Sequence, residues 1–341
     1  MKAVGLLSGG LDSTLAIKLI QNQGIDVVAV NFAIPFGPCK KGGGDASQMA
    51  KALNIPLKSF KLGSEYLKMV RNPKFGYGKN MNPCIDCKIF MLKKAKKYAK
   101  SIGAKFIFTG EVIGQRPMSQ HKQALASIEK KAGLEGKIVR PLSAKLLPKT
   151  EAEELGYLNI DRLEDIKGRS RKRQIELAKQ FNIVNFPSPA GGCLLTDPEY
   201  GNKLRDLLTH KKRVTVEDTY LLKFGRHFRS GNNKVIVGRN EVENHTLTKS
   251  KRKSDYLFEL ADCVGPTTVL QGPKTRRSIK TAAGLTAFYS DCEEKEVRVK
   301  FGKDTFDKEI VASPTNLAEI DTLRIKKRAV TSQLADTGLK G

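Results

Sequence analysis

Two sets of residues in this chain have the types and spacing to do chemistry. The first is Ser8-Gly9-Gly10-Leu11-Asp12-Ser13. It separates the apolar run Lys2 to Leu7 from a stretch in which Leu15, Ala16, Leu19 and Ile20 recur at helical spacing. The run predicts a buried parallel strand and the recurrence a helix. Two glycines at the junction let a ligand approach the backbone. Consecutive N–H groups at a helix N-terminus, aided by the helix dipole, bind anions, and Ser8 and Ser13 add hydroxyl donors. Asp12 is a poor partner for phosphate by itself and points to a metal bridging to that phosphate. The spacing fits neither G-x-x-x-x-G-K-[ST] nor G-x-G-x-x-G.

The second set is sulfur. Cys84 and Cys87 stand two residues apart after a proline, ahead of a helix-periodic stretch, and Cys193 follows two glycines far along the chain. Such a set suits a redox pair, part of a zinc site, or inert thiols. It also suits an iron–sulfur cluster with one iron left open, or a persulfide carrier with a resolving partner. The preferred expectation is a cluster, 4Fe-4S in type, with Cys84, Cys87 and Cys193 as its ligands. Cys39, Cys263 and Cys292 are expected to be ordinary thiols rather than a disulfide framework.

The elements that position these sets follow from periodicity. "DVVAVNF" (26–32), "PLKSFKL" and "KFIFTG" (105–110) read as strands. "DASQMAKALNI", opened by Asp45, and the basic "KIFMLKKAKKYAKSIGA" read as helices. Thr150 and Glu153 are placed for a capping box. Alternation of this kind predicts an α/β fold, a doubly wound parallel sheet whose ligands sit beyond the carboxyl ends of its strands. Near 196–204 the pattern changes, and the strand-like runs "KVIVGR", "TTVLQG" and "EVRVKFG" predict a second, smaller α+β domain. The expected boundaries are 1–200, 205–325 and a weakly patterned end, 326–341.

Charge indicates the partner. The 341 residues include 61 Lys and Arg against 35 Asp and Glu, a net charge of +26. Self-repulsion on that scale favours a polyanionic partner, nucleic acid above all. With no Trp and 7% aromatic residues, a single-strand stacking platform is disfavoured. No apolar run is long enough to span a membrane, and a strand starts almost at Met1 rather than a leader peptide. The expectation is a cytoplasmic protein with no membrane partner.

Three resemblances make these expectations specific. Ser8 to Ser13 resembles the SGGxDS loop of the PP-loop ATP pyrophosphatases, which implies ATP as substrate, magnesium near Asp12, and adenylation of a carbonyl oxygen. "TGEVIGQRPMSQ" (109–120) is similar to the TGE-x-x-GQ-x-x-SQ segment of tRNA 4-thiouridine synthetases, and "VRPLSAKLLPKTEAEELG" resembles the RPL segment that follows it. The three-cysteine set looks like that of iron–sulfur-dependent tRNA thiolases. "KVIVGRNEVENHTLTKSKRKSDYLFEL" resembles the NFACT RNA-binding domain with its GRN-x-x-EN signature. Together they imply an ATP-dependent tRNA uridine sulfurtransferase, leaning to 4-thiouridine, with free sulfide or a cysteine desulfurase as sulfur donor. Expected ATP-binding residues are Ser8, Gly9, Gly10, Leu11, Asp12, Ser13, Thr109, Gly110, Gln115 and Ser119. Expected catalytic residues are Asp12, Cys84, Cys87 and Cys193. Arg171, Lys172, Arg173, Arg239, Asn240, Lys249, Lys251, Arg252 and Lys253 are expected to meet RNA. The alternatives are a PP-loop ligase or amidotransferase on a small nucleotide, and a tRNA-binding factor with an ATP site but no sulfur chemistry.

Overall fold

The computed structural model describes residues 1–37, 45–184, 186 and 193–326. The chain divides into two compact units, Met1–Thr196 and Asp197–Gly341.

The first unit runs β1 (Lys2–Leu6), α1 (Leu11–Gln21), β2 (Asp26–Ala33), α2 (Ala46–Ala52), β3 (Leu57–Lys61), α3 (Ser64–Arg71), α4 (Cys84–Ser101), β4 (Phe106–Thr109), α5 (Lys122–Ala132), β5 (Ile138–Val139), α6 (Glu151–Glu154) and α7 (Lys172–Gln180). Its five strands pair in parallel in the order β3-β2-β1-β4-β5. Side chains alternate across a strand, so the sheet offers two apolar faces. Ala3, Phe106, Phe108 and Val139 pack with α1, α2 and α7. Val4, Ile107 and Ile138 pack with α4 and α5. This is the doubly wound sheet the alternation predicts. Asp45 caps α2, accepting from the Ser47 and Gln48 N–H groups.

The second unit runs α8 (Pro198–His210), α9 (Val216–Leu221), β6 (Arg226–Ser230), β7 (Asn233–Val237), α10 (Glu241–Ser250), β8 (Tyr256–Leu260), β9 (Thr268–Gln271), α11 (Arg276–Phe288), β10 (Val297–Gly302), β11 (Lys308–Ala312) and α12 (Leu317–Leu323). Its six strands form a separate antiparallel sheet in the order β11-β10-β8-β9-β7-β6. Ala282, Ala283 and Leu285 of α11 close one face against Phe228, Val235, Phe258 and Leu270. Leu221 and Leu247, from α9 and α10, close the other against Ile236, Leu257 and Val269.

Two expectations are corrected. Cys263 and Cys292 are not free thiols; a disulfide joins them, with Cα atoms 6.1 Å apart. Thr150 precedes α6 but makes no capping box, because its hydroxyl donates to the Glu153 carboxylate (2.9 Å) instead of accepting from a backbone N–H. Cys39 and residues 327–341 lie outside the described residues.

Candidate active site

The Ser8–Ser13 loop leaves the carboxyl end of β1 and enters α1. Gly9 takes the left-handed conformation (φ 81°), which favours glycine. Ser13 ties the turn together: its hydroxyl donates to the Gly10 carbonyl (2.8 Å) and accepts from the Ser8 N–H (3.2 Å). Among the described residues no side chain caps the N-terminus of α1, so its first-turn N–H groups face outward with the positive end of the dipole. Asp12, in that first turn, accepts from the Gln115 amide through Oδ2 (3.1 Å). Its Oδ1 is buried and has no hydrogen-bond partner among the described residues.

The segment after β4 closes over this loop. A Cβ on Gly110 would lie 2.6 Å from the Asp12 carbonyl group and from the Ser13 Cα, so only glycine permits the approach. Thr109 is buried and donates to Glu111 (3.1 Å). Glu111 also pairs with Lys88 of α4 and with Arg140 (3.1 Å), and Arg140 pairs in turn with Glu129. Burial alone would push the Glu111 carboxyl up, but the two cations outweigh it and hold it at about 2. Lys88 also donates to the Ser119 carbonyl (3.2 Å). The Ser119 hydroxyl is buried and has no partner among the described residues.

The three thiols meet at the same end of the sheet. Cys84 and Cys87 lie in the first turn of α4. Asn82, just ahead of that helix, donates to Cys84 Sγ (3.1 Å), and its Oδ1 lies 4.0 Å from Cys193 Sγ. The Cys193 segment is pinned by the Leu194 N–H donating to the Phe36 carbonyl (3.0 Å), beyond β2. The Met81 N–H donates to the Leu195 carbonyl (3.0 Å). Cys87 contacts the buried Tyr66 hydroxyl (3.0 Å). Burial pushes the Cys87 thiol up to about 12 and raises Cys193 as well. Tyr66 is raised far above its usual range, first by burial and then by Cys87.

The expected RNA-contact residues sort into tied and untied groups. Arg173 forms a two-pronged ion pair with Glu164 (2.9 and 3.1 Å). Lys172 is exposed, and Arg171 is half-buried with its Nε unpartnered among the described residues. In the second unit the Arg239 Nε donates to Glu243 (3.0 Å), and Asn240 caps α10 by accepting from the Glu243 N–H. Lys251 pairs with Asp304 (3.3 Å) and Arg252 with the buried Asp218. Lys249 and Lys253 are exposed.

Residues 1–155 match the family described as "Thiamine biosynthesis protein (ThiI)", and residues 225–324 match the "NFACT protein RNA binding domain". The first unit thus carries a stretch similar to ThiI, and the second a stretch similar to the NFACT RNA-binding domain. Over 115 residues it is 29% identical to the tRNA-specific 2-thiouridylase MnmA of Trichlorobacter lovleyi, a match covering 31% of this chain and 32% of that one. Over 123 residues it is 32% identical to a probable tRNA sulfurtransferase of Thermococcus kodakarensis, covering 33% of this chain and 30% of the relative. The matched stretch is thus about a third of each relative's length. A solved 4-thiouridine synthetase–RNA complex with bound ATP is 24% identical, covering 53% of this chain and 51% of that one, at a TM-score of 0.33.

In the first unit the buried Asp12 oxygen, unpartnered among the described residues and beside the N-terminus of α1, fits magnesium, which takes one or two carboxylates and completes its shell with substrate phosphates. The thiols fit a cluster less well. Their chemistry is suitable, yet Asn82 and Tyr66 engage the sulfurs, and among the described residues no group of three or more His, Cys, Asp or Glu side chains could hold a metal ion. Tyr66, Asn82, Lys88 and Arg140 escaped sequence reasoning. For Lys88 and Asn82 the available signal was adjacency to the cysteine motif, and for Arg140 its place in the RPL segment; Tyr66 carried none.

Proposed function

We propose that the chain is an ATP-dependent tRNA sulfurtransferase that replaces a uridine carbonyl oxygen with sulfur, giving 4-thiouridine. One observation carries the reading: the Ser8–Ser13 loop, the 109–120 segment and three thiols meet at one end of a parallel sheet. ATP lies with its pyrophosphate on the first-turn N–H groups of α1, within reach of Ser8 and Ser13. Magnesium held by Asp12 supplies charge neutralisation for the departing phosphates. The uridine oxygen attacks the α-phosphorus, the bond to the β-phosphate oxygen breaks, and pyrophosphate leaves. The inert carbonyl oxygen is now part of an AMP leaving group.

Sulfur then adds to the activated ring carbon and AMP departs. Asn82 gathers Cys84 and Cys193, so these two serve as persulfide carrier and resolving thiol. The outer persulfide sulfur bonds the carbon, and the second thiol attacks the inner sulfur. Thiouridine is freed and a Cys84–Cys193 disulfide remains. The first persulfide arrives by sulfane-sulfur transfer from a donor's own persulfide, which leaves the donor as a thiolate. Thereafter sulfide attack on the Cys84–Cys193 disulfide regenerates one persulfide and one thiol, which closes the cycle. The target base must leave its stack to reach the site, and the NFACT-type domain supports RNA as the partner.

Convergence of three thiols favours a second reading, in which Cys84, Cys87 and Cys193 hold an iron–sulfur cluster. Serine variants of the full chain separate the two. With a persulfide pair, Cys84→Ser and Cys193→Ser each lose thiouridine by at least ~100-fold while Cys87→Ser keeps it within ~10-fold. Equal loss in all three variants, together with iron bound after anaerobic reconstitution, supports the cluster instead.

A further inference from the structure

We propose that Lys88 is a positioning residue that couples nucleotide binding at the Ser8–Ser13 loop to the geometry of the cysteine pair. The proposal rests on the reading of that loop as the ATP site. The 109–120 segment touches both places. At one end Gly110 is seated against Asp12 and Ser13, and Gln115 donates to Asp12 (3.1 Å). At the other, the Ser119 carbonyl and the Glu111 carboxylate both receive the Lys88 ammonium.

Lys88 follows Cys87 directly on α4. A shift of the segment when phosphates settle on the loop therefore reaches the helix turn that carries Cys84 and Cys87 through the 109–120 backbone and the hydrogen bonds at its two ends. The path is stiff because Glu111 is also held by Arg140 and Thr109, and both ends of the Lys88–Glu111 pair are largely buried. On its opposite side the same turn is anchored, since Asp86 accepts from the Lys74 and Phe75 N–H groups (3.0 and 2.9 Å). Lys88 is thus the contact through which the nucleotide segment acts on this turn. Two sites that bias one element are coupled by a definable free energy.

The test reads thiol reactivity, which needs neither tRNA nor a sulfur source. Full-length protein with magnesium is alkylated by iodoacetamide with and without a non-hydrolysable ATP analogue, and modification of Cys84 and Cys193 is followed by mass spectrometry. In the native chain the analogue should change the Cys84 rate by about fivefold or more. Lys88→Met should bind the analogue within about threefold of native affinity yet lose the rate response, and Lys88→Arg should restore it. If Lys88→Met fails to fold, Glu111→Gln weakens the same pair from the other side and should blunt the response. A native-sized response in Lys88→Met overturns the proposal, as does native protein that binds the analogue without any change in labelling. Absence of nucleotide binding sinks the reading of the loop itself, and the coupling with it.

Discussion

Glu111 shows how a single residue can be ionised and buried at once. Its oxygens receive Lys88, Arg140 and Thr109, and the carboxyl stays charged down to about 2 although its ordinary value is 4.5. Between those values the unfolded chain binds a proton that the folded chain refuses. The stability Glu111 contributes is therefore complete above pH 4.5 and is lost as pH falls toward 2. The size is on the order of 3 kcal/mol. Urea midpoints measured from pH 6 down to pH 2 should fall steeply for the native chain. In Glu111→Gln the fall should be shallower from a lower starting midpoint, because an uncharged amide leaves Lys88 and Arg140 less well paired. Parallel curves for the two proteins would contradict this assignment.

At the scale of elements, legibility in the sequence followed burial. β1, β2 and β4 are apolar runs ended by small or polar residues, and Asp45 announces α2, so the doubly wound sheet was readable. β5 was not, because two residues carry no period. In the second unit β6 ("RHFRS") and β11 ("KEIVA") were passed over, since their charged side chains mask the strand alternation. The loop motifs located the ends of β1 and β4, but spacing along a chain does not reveal partners across it. Hence Asn82 between Cys84 and Cys193, Tyr66 beneath Cys87, and Lys88 on Glu111 appeared only in three dimensions. The GRN-x-x-EN stretch was read for RNA contact, yet here Arg239 and Asn240 secure Glu243 and the start of α10. The Cys263–Cys292 disulfide joins residues 29 apart, and nothing in their flanking sequence distinguished them from isolated thiols.

The whole molecule carries 26 more positive than negative charges, and much of that surplus is not consumed internally: Lys249 and Lys253, for instance, are exposed. Phosphate contacts release counterions, so tRNA affinity should fall steeply with salt, with a slope equivalent to at least about five phosphates. Replacing Lys249 and Lys253 together by alanine should lower that slope by about 2. A flat salt dependence would remove nucleic acid as the partner that explains the charge. The central claim is that one site uses ATP to exchange uridine oxygen for sulfur. It is tested most directly by incubating the full chain with unmodified tRNA, magnesium, a persulfide donor and sulfide, with and without ATP, and analysing the digested nucleosides. The account predicts 4-thiouridine only when ATP is present, with AMP and pyrophosphate formed in equal amount; no thionucleoside, or thiouridine made without ATP, would contradict it.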